Sequence, residues 1–185
     1  MRIAVYSGSF NPLHVGHLAI LRYLTGWDGV DWTYLVVSPQ NPLKDAIGAR
    51  TGKERYLAAL EALQRHPELR VWLDDIELRL PQPSYTIHTL DTLRKQEPQN
   101  DFFLVIGGDN LENIRRWKDY QRILREYGVA VYPRRGCDVE ALRADLLAED
   151  PAYRITLLDC PLVDISSTQI REALARGEAV ADLLM

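Results

Sequence analysis

The sequence predicts an α/β protein with a Rossmann-like, doubly wound parallel sheet in a three-layer αβα arrangement. Short apolar runs alternate with helical patterns along the 185 residues. The runs are continuously apolar, as in Phe102–Ile106, which is typical of parallel strands covered on both faces. No internal repeat or low-complexity tract interrupts the alternation. Because domains usually have roughly 100–200 residues, we expect a single domain over 1–185.

Six short apolar runs predict the strands. In chain order they are Ile3–Tyr6, Trp32–Val37, Val71–Leu73, Phe102–Ile106, Val129–Tyr132 and Ile155–Leu158. Loops with several breakers, Gly8–Pro12 and Pro39–Gly48, follow the first two. Ligands of open parallel sheets bind beyond the carboxyl ends of the strands, so functional residues are expected directly after these runs.

Apolar residues at helical spacing predict six helices. They are Val15–Leu24, Lys53–Gln64, Tyr85–Lys95, Asp119–Tyr127, Val139–Leu147 and Ser167–Arg176. The apolar positions that define the first three are Leu18, Ile20, Leu21 and Leu24, then Tyr56, Leu57, Leu60 and Leu63, then Ile87, Leu90 and Leu93. Pro67 ends the second helix and Gly177 closes the last.

Composition limits the class of protein. The chain has 22 basic and 26 acidic residues, a net charge of −4, which disfavours general nucleic-acid binding. Any anion site must therefore be local. Cys137 and Cys160 are too few for a disulfide framework or a four-cysteine zinc site. The uncharged run Ile3–Leu21 contains too many polar groups to cross a membrane, and no N-terminal leader pattern is present. We expect a soluble, cytoplasmic protein.

The first candidate site is the segment Gly8–His17, GSFNPLHVGH, which joins the first strand to the first helix. Gly8 allows close approach of the backbone to a ligand, and the free N–H groups at the helix start favour an anion. His14 and His17 lie on one helical face, and Gly16 between them leaves space for a bulky ligand. Both imidazoles can donate to phosphate oxygens, and protonation would add positive charge. A zinc site is disfavoured because no third ligand is evident.

The second candidate site follows the last strand, where Ser166, Ser167 and Thr168 begin a helix. Ser166 and Gln169 have capping-box spacing, which is the structural alternative. Arg171 lies one turn from the hydroxyl groups, so its guanidinium can clamp a phosphate there.

A third candidate follows the most apolar strand. Gly107 and Gly108 suggest close backbone approach. Asp109 can order this loop or accept from a ribose hydroxyl, and it can at the same time cap the helical segment Leu111–Trp117. Lys44 lies in the loop after the second strand, near the same rim. Trp117 either stacks on a flat heterocycle or anchors its loop.

Together these segments resemble nucleotidyltransferases with an H-x-G-H motif and a late I-S-S-T-x-I-R motif. Asp75–Leu78, Ser84–Thr86, Gly107–Asn110 and Trp117 narrow the resemblance to the bacterial nicotinate-nucleotide adenylyltransferases. The resemblance covers Met1 to about Gly177 and implies the nucleotidyltransferase fold. It also implies adenylyl transfer from ATP to nicotinate mononucleotide, giving deamido-NAD and pyrophosphate in NAD biosynthesis.

The resemblance implies a role for each site residue. His14 and His17 would be catalytic. The ATP-binding residues would be Gly8, Ser9, Phe10, Lys44, Gly107, Asp109, Ser167, Thr168 and Arg171. Tyr85, Thr86 and Trp117 would bind the nicotinate nucleotide. Mg²⁺ would be held mainly by the ATP phosphates, without a protein metal site.

Two other functions remain open at this stage. One is another small-substrate adenylyltransferase of the superfamily, similar to phosphopantetheine adenylyltransferase. The other is a non-catalytic nucleotide sensor. The expected partners are small-molecule substrates rather than nucleic acid or a membrane, and the sequence leaves the oligomeric state open.

Overall fold

A six-stranded, entirely parallel sheet forms the centre of the protein in a computed structural model that describes residues 1–39, 50–162 and 164–185. The strands are β1 (Arg2–Gly8), β2 (Trp32–Val37), β3 (Val71–Asp74), β4 (Asp101–Gly107), β5 (Val129–Tyr132) and β6 (Ile155–Leu157). Their order across the sheet is β3-β2-β1-β4-β5-β6. The chain reverses its direction of winding between β1 and β4, where ligands of such sheets usually bind.

Helices cover both faces of the sheet. They are α1 (Val15–Gly26), α2 (Gly52–Gln64), α3 (Ile76–Arg79), α4 (Thr86–Gln96), α5 (Gly108–Glu112), α6 (Tyr120–Arg122), α7 (Val139–Glu149) and α8 (Ser167–Ala175). Apolar residues of α1 and α2 pack with one face of β1, and those of α4, α5 and α7 pack with the other. The alternating residues Ala4 and Val5 belong to these two opposite cores. The expected three-layer αβα fold is confirmed.

The six predicted strands and the parallel sheet are confirmed, with ends that move by a few residues. The predicted helix Asp119–Tyr127 is wrong as one element, because α6 is followed by a π-helical turn over Ile123–Tyr127. The short helices α3 and α5 carried too few residues for periodicity to reveal them.

The predicted buried face of α2 is partly wrong. Leu57 and Leu60 are exposed, whereas the buried residues are Arg55, Ala59 and Ala62. Hydrophobic periodicity favoured the leucines, but the narrow space against the sheet is filled by alanines and by one charged side chain. Within 1–39, 50–162 and 164–185, the helices are too short or too polar to cross a membrane.

Candidate active site

The side chains of two histidines, His14 and His17, each accept a backbone N–H group at the N-terminus of α1. The Nδ1 atom of His14 accepts the backbone N–H of Gly16 at 3.1 Å, and the Nδ1 atom of His17 accepts the backbone N–H of His14 at 3.2 Å. The two rings stack with centroids 3.7 Å apart. This reciprocal cap uses imidazole nitrogens where helices usually use hydroxyl and carboxylate oxygens.

The cap fixes the protonation of both rings. Because each Nδ1 accepts a hydrogen bond, the ring proton of the neutral imidazole lies on Nε2, which is free to donate. Burial, with the nearby Arg134 charge, lowers the pKa of His14 to about 4. Burial, His14 and Arg134 hold the pKa of His17 well below its usual value. These shifts favour neutral rings near neutral pH, and the positive charge that protonation would add beside a phosphate stays a prediction.

Two glycines make room for side chains of the protein itself. A Cβ atom at Gly16 would lie 2.9 Å from the His14 ring, and one at Gly8 would lie 3.0 Å from the Phe10 ring. The Phe10 ring in turn meets the His17 ring edge-on at a centroid distance of 5.1 Å. The His14 ring thus fills the space at Gly16 and the Phe10 ring fills the space at Gly8, while the expected approach of a ligand to these glycines stays a prediction.

Arg134 is a candidate residue that sequence reasoning did not single out. It follows β5 and lines the same crevice as His14 and His17, with Tyr132 beneath its guanidinium at 5.4 Å from the ring centroid. Its Nε atom is buried and has no hydrogen-bond partner among the described residues. The rule that functional residues follow strands could have found it, since Arg134 lies two residues after the end of β5.

The Gly107–Asp109 turn packs against Tyr132 and lies near Arg134, two residues that line this crevice. A Cβ atom at Gly107 would lie 2.5 Å from the Asp109 carboxylate and 3.0 Å from the Tyr132 ring, so this turn packs closely on side chains of the protein itself. The expected close backbone approach at these glycines stays a prediction. The expected cap by Asp109 is wrong: Gly107 is the capping position and Asp109 lies in the first turn of α5. The exposed Asp109 carboxylate lies 3.7 Å from Nε of Arg134.

The N-terminus of α8 rests on the loop after β1. Ser166 and Gln169 form the expected capping box. The hydroxyl of Ser167 donates to the Pro12 carbonyl at 3.0 Å. Arg171 donates to the Asn11 carbonyl at 2.6 Å and to the Thr168 hydroxyl at 3.2 Å. The predicted contact between Arg171 and the hydroxyl groups at the start of α8 is thus present, through Thr168. The hydrogen bond from Arg171 to the Asn11 carbonyl was not predicted.

Arg171 borders a cavity of about 450 Å³ between this loop, α2 and α8. Arg50, Arg65 and Glu61 also line the cavity. Three guanidinium groups against one carboxylate give this space a positive charge. Lys44, the remaining cation expected at the rim, lies outside the described residues.

Within the part of the chain that the structure describes, no side chain caps the start of α4. Tyr85 is the capping position, and the first turn of α4 carries no acidic residue. The backbone N–H groups of Thr86 and Ile87 belong to that open first turn. Lys118 lies 4.8 Å from the centre of the Tyr85 ring, and its neighbour Trp117 packs partly against the core. Ser84 directly precedes the capping position and is not the capping residue.

A buried carboxyl connects this helix to β1. Glu77 accepts from the hydroxyls of Ser7 and Thr89, both at 3.0 Å. Burial raises the pKa of Glu77 above its usual value. The connection holds the start of α4 at a fixed position relative to the loop that leads to the histidines.

Comparisons with known proteins agree with this arrangement. The cytidylyltransferase-like family model matches residues 5–173. A probable nicotinate-nucleotide adenylyltransferase of Bacteroides fragilis is 39% identical over 97% of this chain and 85% of its own length. A probable nicotinate-nucleotide adenylyltransferase of Flavobacterium johnsoniae is 36% identical over 100% of this chain and 92% of its own length.

One group of similar solved structures supports the fold. The nicotinic acid mononucleotide adenylyltransferase of Plasmodium falciparum, complexed with NaAD, superposes with a TM-score of 0.80 at 18% identity, covering 98% of this chain and 87% of that one. The same protein complexed with APC gives a TM-score of 0.78 over the same shares of both chains.

Proposed function

The chain belongs to the nicotinate-nucleotide adenylyltransferase family, and from this premise we propose that it transfers the adenylyl group of ATP to nicotinate mononucleotide. The products are deamido-NAD and pyrophosphate, and the reaction is a step of NAD biosynthesis. The observation that carries the proposal is the reciprocal cap of His14 and His17, which leaves two Nε2–H donors beside the junction of β1 and β4.

The reaction needs no nucleophile from the protein. An oxygen of the mononucleotide 5′-phosphate bonds to the α-phosphorus of ATP, while the bond from that phosphorus to the oxygen of the leaving pyrophosphate breaks. Catalysis then consists of positioning the two substrates and stabilising the charge on the transferring group. Donors fixed before the substrates arrive are suited to this because they need no reorganisation during the reaction.

We assign the histidines to the reacting phosphate. His17 donates from Nε2 to the α-phosphate as charge develops on it, and His14 donates to the adjoining part of the phosphate chain. Arg134 supplies the positive charge that the neutral rings lack, since it lines the same crevice. The low pKa values of the histidines support this division between neutral donors and a permanent cation.

The remaining ATP contacts are proposed for the strand ends and for α8. The residues are Gly8, Ser9, Phe10, Lys44, Gly107, Asp109, Ser167, Thr168 and Arg171. Arg171 and its neighbouring hydroxyl groups would hold the β- and γ-phosphates, supported by the positive cavity beside them. Mg²⁺ would enter as the ATP complex, because this ion keeps water and phosphate oxygens as ligands.

The nicotinate nucleotide is assigned to the start of α4. Its carboxylate would accept from the backbone N–H groups near Thr86, while Tyr85 and Trp117 would contact the ring. A helix start without an acidic residue or a side-chain cap favours a negative group. We also propose that the protein works in the cytoplasm, where ATP is available.

A pyrophosphate-release assay with ATP, Mg²⁺ and a panel of acceptor phosphates tests this function. We expect nicotinate mononucleotide to give the highest kcat/KM. A higher value with 4′-phosphopantetheine would indicate a different adenylyltransferase. Tight ATP binding without pyrophosphate release from any acceptor would indicate a nucleotide sensor.

A further inference from the structure

Arg55 is an almost completely buried cation beneath the loop after β1, with 1% of its surface exposed. Its Nη1 atom donates to the carbonyl oxygens of Ser9 at 2.6 Å and Ser38 at 2.7 Å, and its Nε atom donates to the Arg50 carbonyl at 3.2 Å. One guanidinium thus connects α2 to the chain segments that follow β1 and β2.

Packing alone does not explain a charge at this position. Removing a guanidinium from water is costly, and an apolar side chain of similar size is often at least as stabilising. The neighbouring buried residues of α2 are the alanines Ala59 and Ala62, as expected for simple packing. The hydrogen bonds of Arg55 therefore point to a role in holding the backbone of the loop.

The bond to Ser9 fixes the peptide between Ser9 and Phe10. In a planar trans peptide the C=O and N–H groups point in opposite directions, so the Phe10 N–H is turned away from α2. Phe10 has a φ of 45°, in the left-handed region that residues with a Cβ rarely adopt. Such a conformation persists only where its surroundings hold it, and the Arg55 bond lies directly before it.

The Phe10 ring, whose position depends on this backbone conformation, contacts the ring of His17. It meets the His17 ring edge-on at 5.1 Å and the Tyr6 ring edge-on at 5.4 Å. A rotation of the Ser9–Phe10 peptide would move the Phe10 ring and remove one wall from the His17 imidazole.

We propose that Arg55 is a positioning residue for adenylyl transfer, which fixes the Ser9–Phe10 peptide and thereby the Phe10 ring that supports His17. This inference rests on the proposed function. It assigns Arg55 no contact with the substrates.

The first test compares Arg55→Met and Arg55→Lys with the wild-type protein. Misplacing a reacting group by about 1 Å can cost about 10²-fold in rate, so we expect Arg55→Met to lower kcat by about that factor. The KM for nicotinate mononucleotide should stay within about twofold, because the proposal gives Arg55 no contact with the acceptor and places the contacts of the acceptor carboxylate at the start of α4. The kcat of Arg55→Lys should lie between those of Arg55→Met and the wild-type protein, since an ammonium group keeps the charge but cannot reproduce the planar guanidinium fork.

A matched control separates this effect from the loss of any arginine–carbonyl bond. Arg143 donates to the Ile155 carbonyl at 2.9 Å, at the amino end of β6 and thus at the opposite edge of the sheet. Arg143→Met should leave kcat within about twofold of wild type. If Arg55→Met keeps its folded structure and a kcat within about threefold of wild type, the proposal is wrong.

Two further experiments distinguish a positioning role of Arg55 from a purely structural one: chemical rescue by guanidinium and a double-mutant cycle with Phe10. Millimolar guanidinium should restore part of the kcat of Arg55→Ala, whereas tetramethylammonium at equal ionic strength should not. Phe10→Leu and Arg55→Met should be strongly non-additive in kcat, because both act through one ring. Additive losses, or equal effects of the two cations, would contradict the proposal.

Imidazole NMR of His17 separates this inference from the proposed function. We expect Arg55→Met to shift the His17 ring resonances and Arg143→Met to leave them in place. If wild-type protein transfers no adenylyl group, the function fails while this measurement still tests the contact chain. If transfer is normal but the His17 resonances of Arg55→Met match wild type, only the role of Arg55 fails.

Discussion

The backbone N–H of His14 donates to Nδ1 of His17, and the two rings stack with their centroids 3.7 Å apart. One hydrogen bond thus determines both the start of α1 and the tautomer of His17. The residues that begin the helix are also those that we propose to donate to the phosphates.

We predict that His17→Asn lowers kcat by about 10²–10³-fold, the usual loss for one preorganised donor. Asparagine keeps an acceptor near the position of Nδ1, so the cap survives while the Nε2–H donor is lost. His17→Gln, which places an amide nearer to Nε2, should lose less. The check is steady-state kinetics, with His66→Ala, at a half-buried residue just after α2, as the control. Equal, small losses in both His17 variants would remove His17 from the chemistry.

The low pKa of His14 predicts a loss of stability in acid. The pKa of His14 is 6.5 in the unfolded chain and about 4 in the folded protein. The contribution of neutral His14 to the free energy of unfolding is therefore fully present above pH 6.5 and is lost as the pH falls from 6.5 towards 4. The variant His14→Asn keeps a cap acceptor that does not titrate. Between pH 7 and pH 5, wild type should lose about 2 kcal/mol more unfolding free energy than this variant. Denaturant titrations at both pH values measure this, and parallel losses would contradict a neutral, buried His14.

We predict that Arg134 contributes to kcat/KM for ATP and that its neighbour Arg135 does not. Arg134 lines the histidine crevice, whereas Arg135 is exposed and pairs with Asp164 at 2.9 Å. Hydrogen bonds to charged groups contribute about 1.5–3 kcal/mol, so Arg134→Met should lower kcat/KM for ATP by about 10–10²-fold. Arg135→Met should change it less than about twofold. Similar kinetics for the two variants would show that Arg134 does not contact the phosphates.

The strand and helix order follows from the sequence because continuous apolar runs and breakers are local signals. Gly8–His17 and Ser166–Arg171 were found for the same reason, since each is a compact motif after a strand. Arg134 belongs to no motif, and its importance depends on the register of β5 beside β4. Arg55 was missed because its burial depends on two distant carbonyl groups, while nearby leucines gave the stronger local signal. The histidine tautomers likewise depend on hydrogen bonds that sequence spacing does not specify.

The central claim is that the protein adenylylates the carboxylate form of the mononucleotide, and the most direct measurement is kcat/KM for nicotinate and nicotinamide mononucleotides at saturating ATP. The N–H groups at the start of α4 favour a carboxylate, because charge-assisted hydrogen bonds are about twice as strong as neutral ones. An amide would also leave these donors unpaired once the bound nucleotide covers them, at about 1–3 kcal/mol each. We predict a preference for nicotinate mononucleotide of about 10²-fold or more. Values within about threefold of each other would contradict the claim.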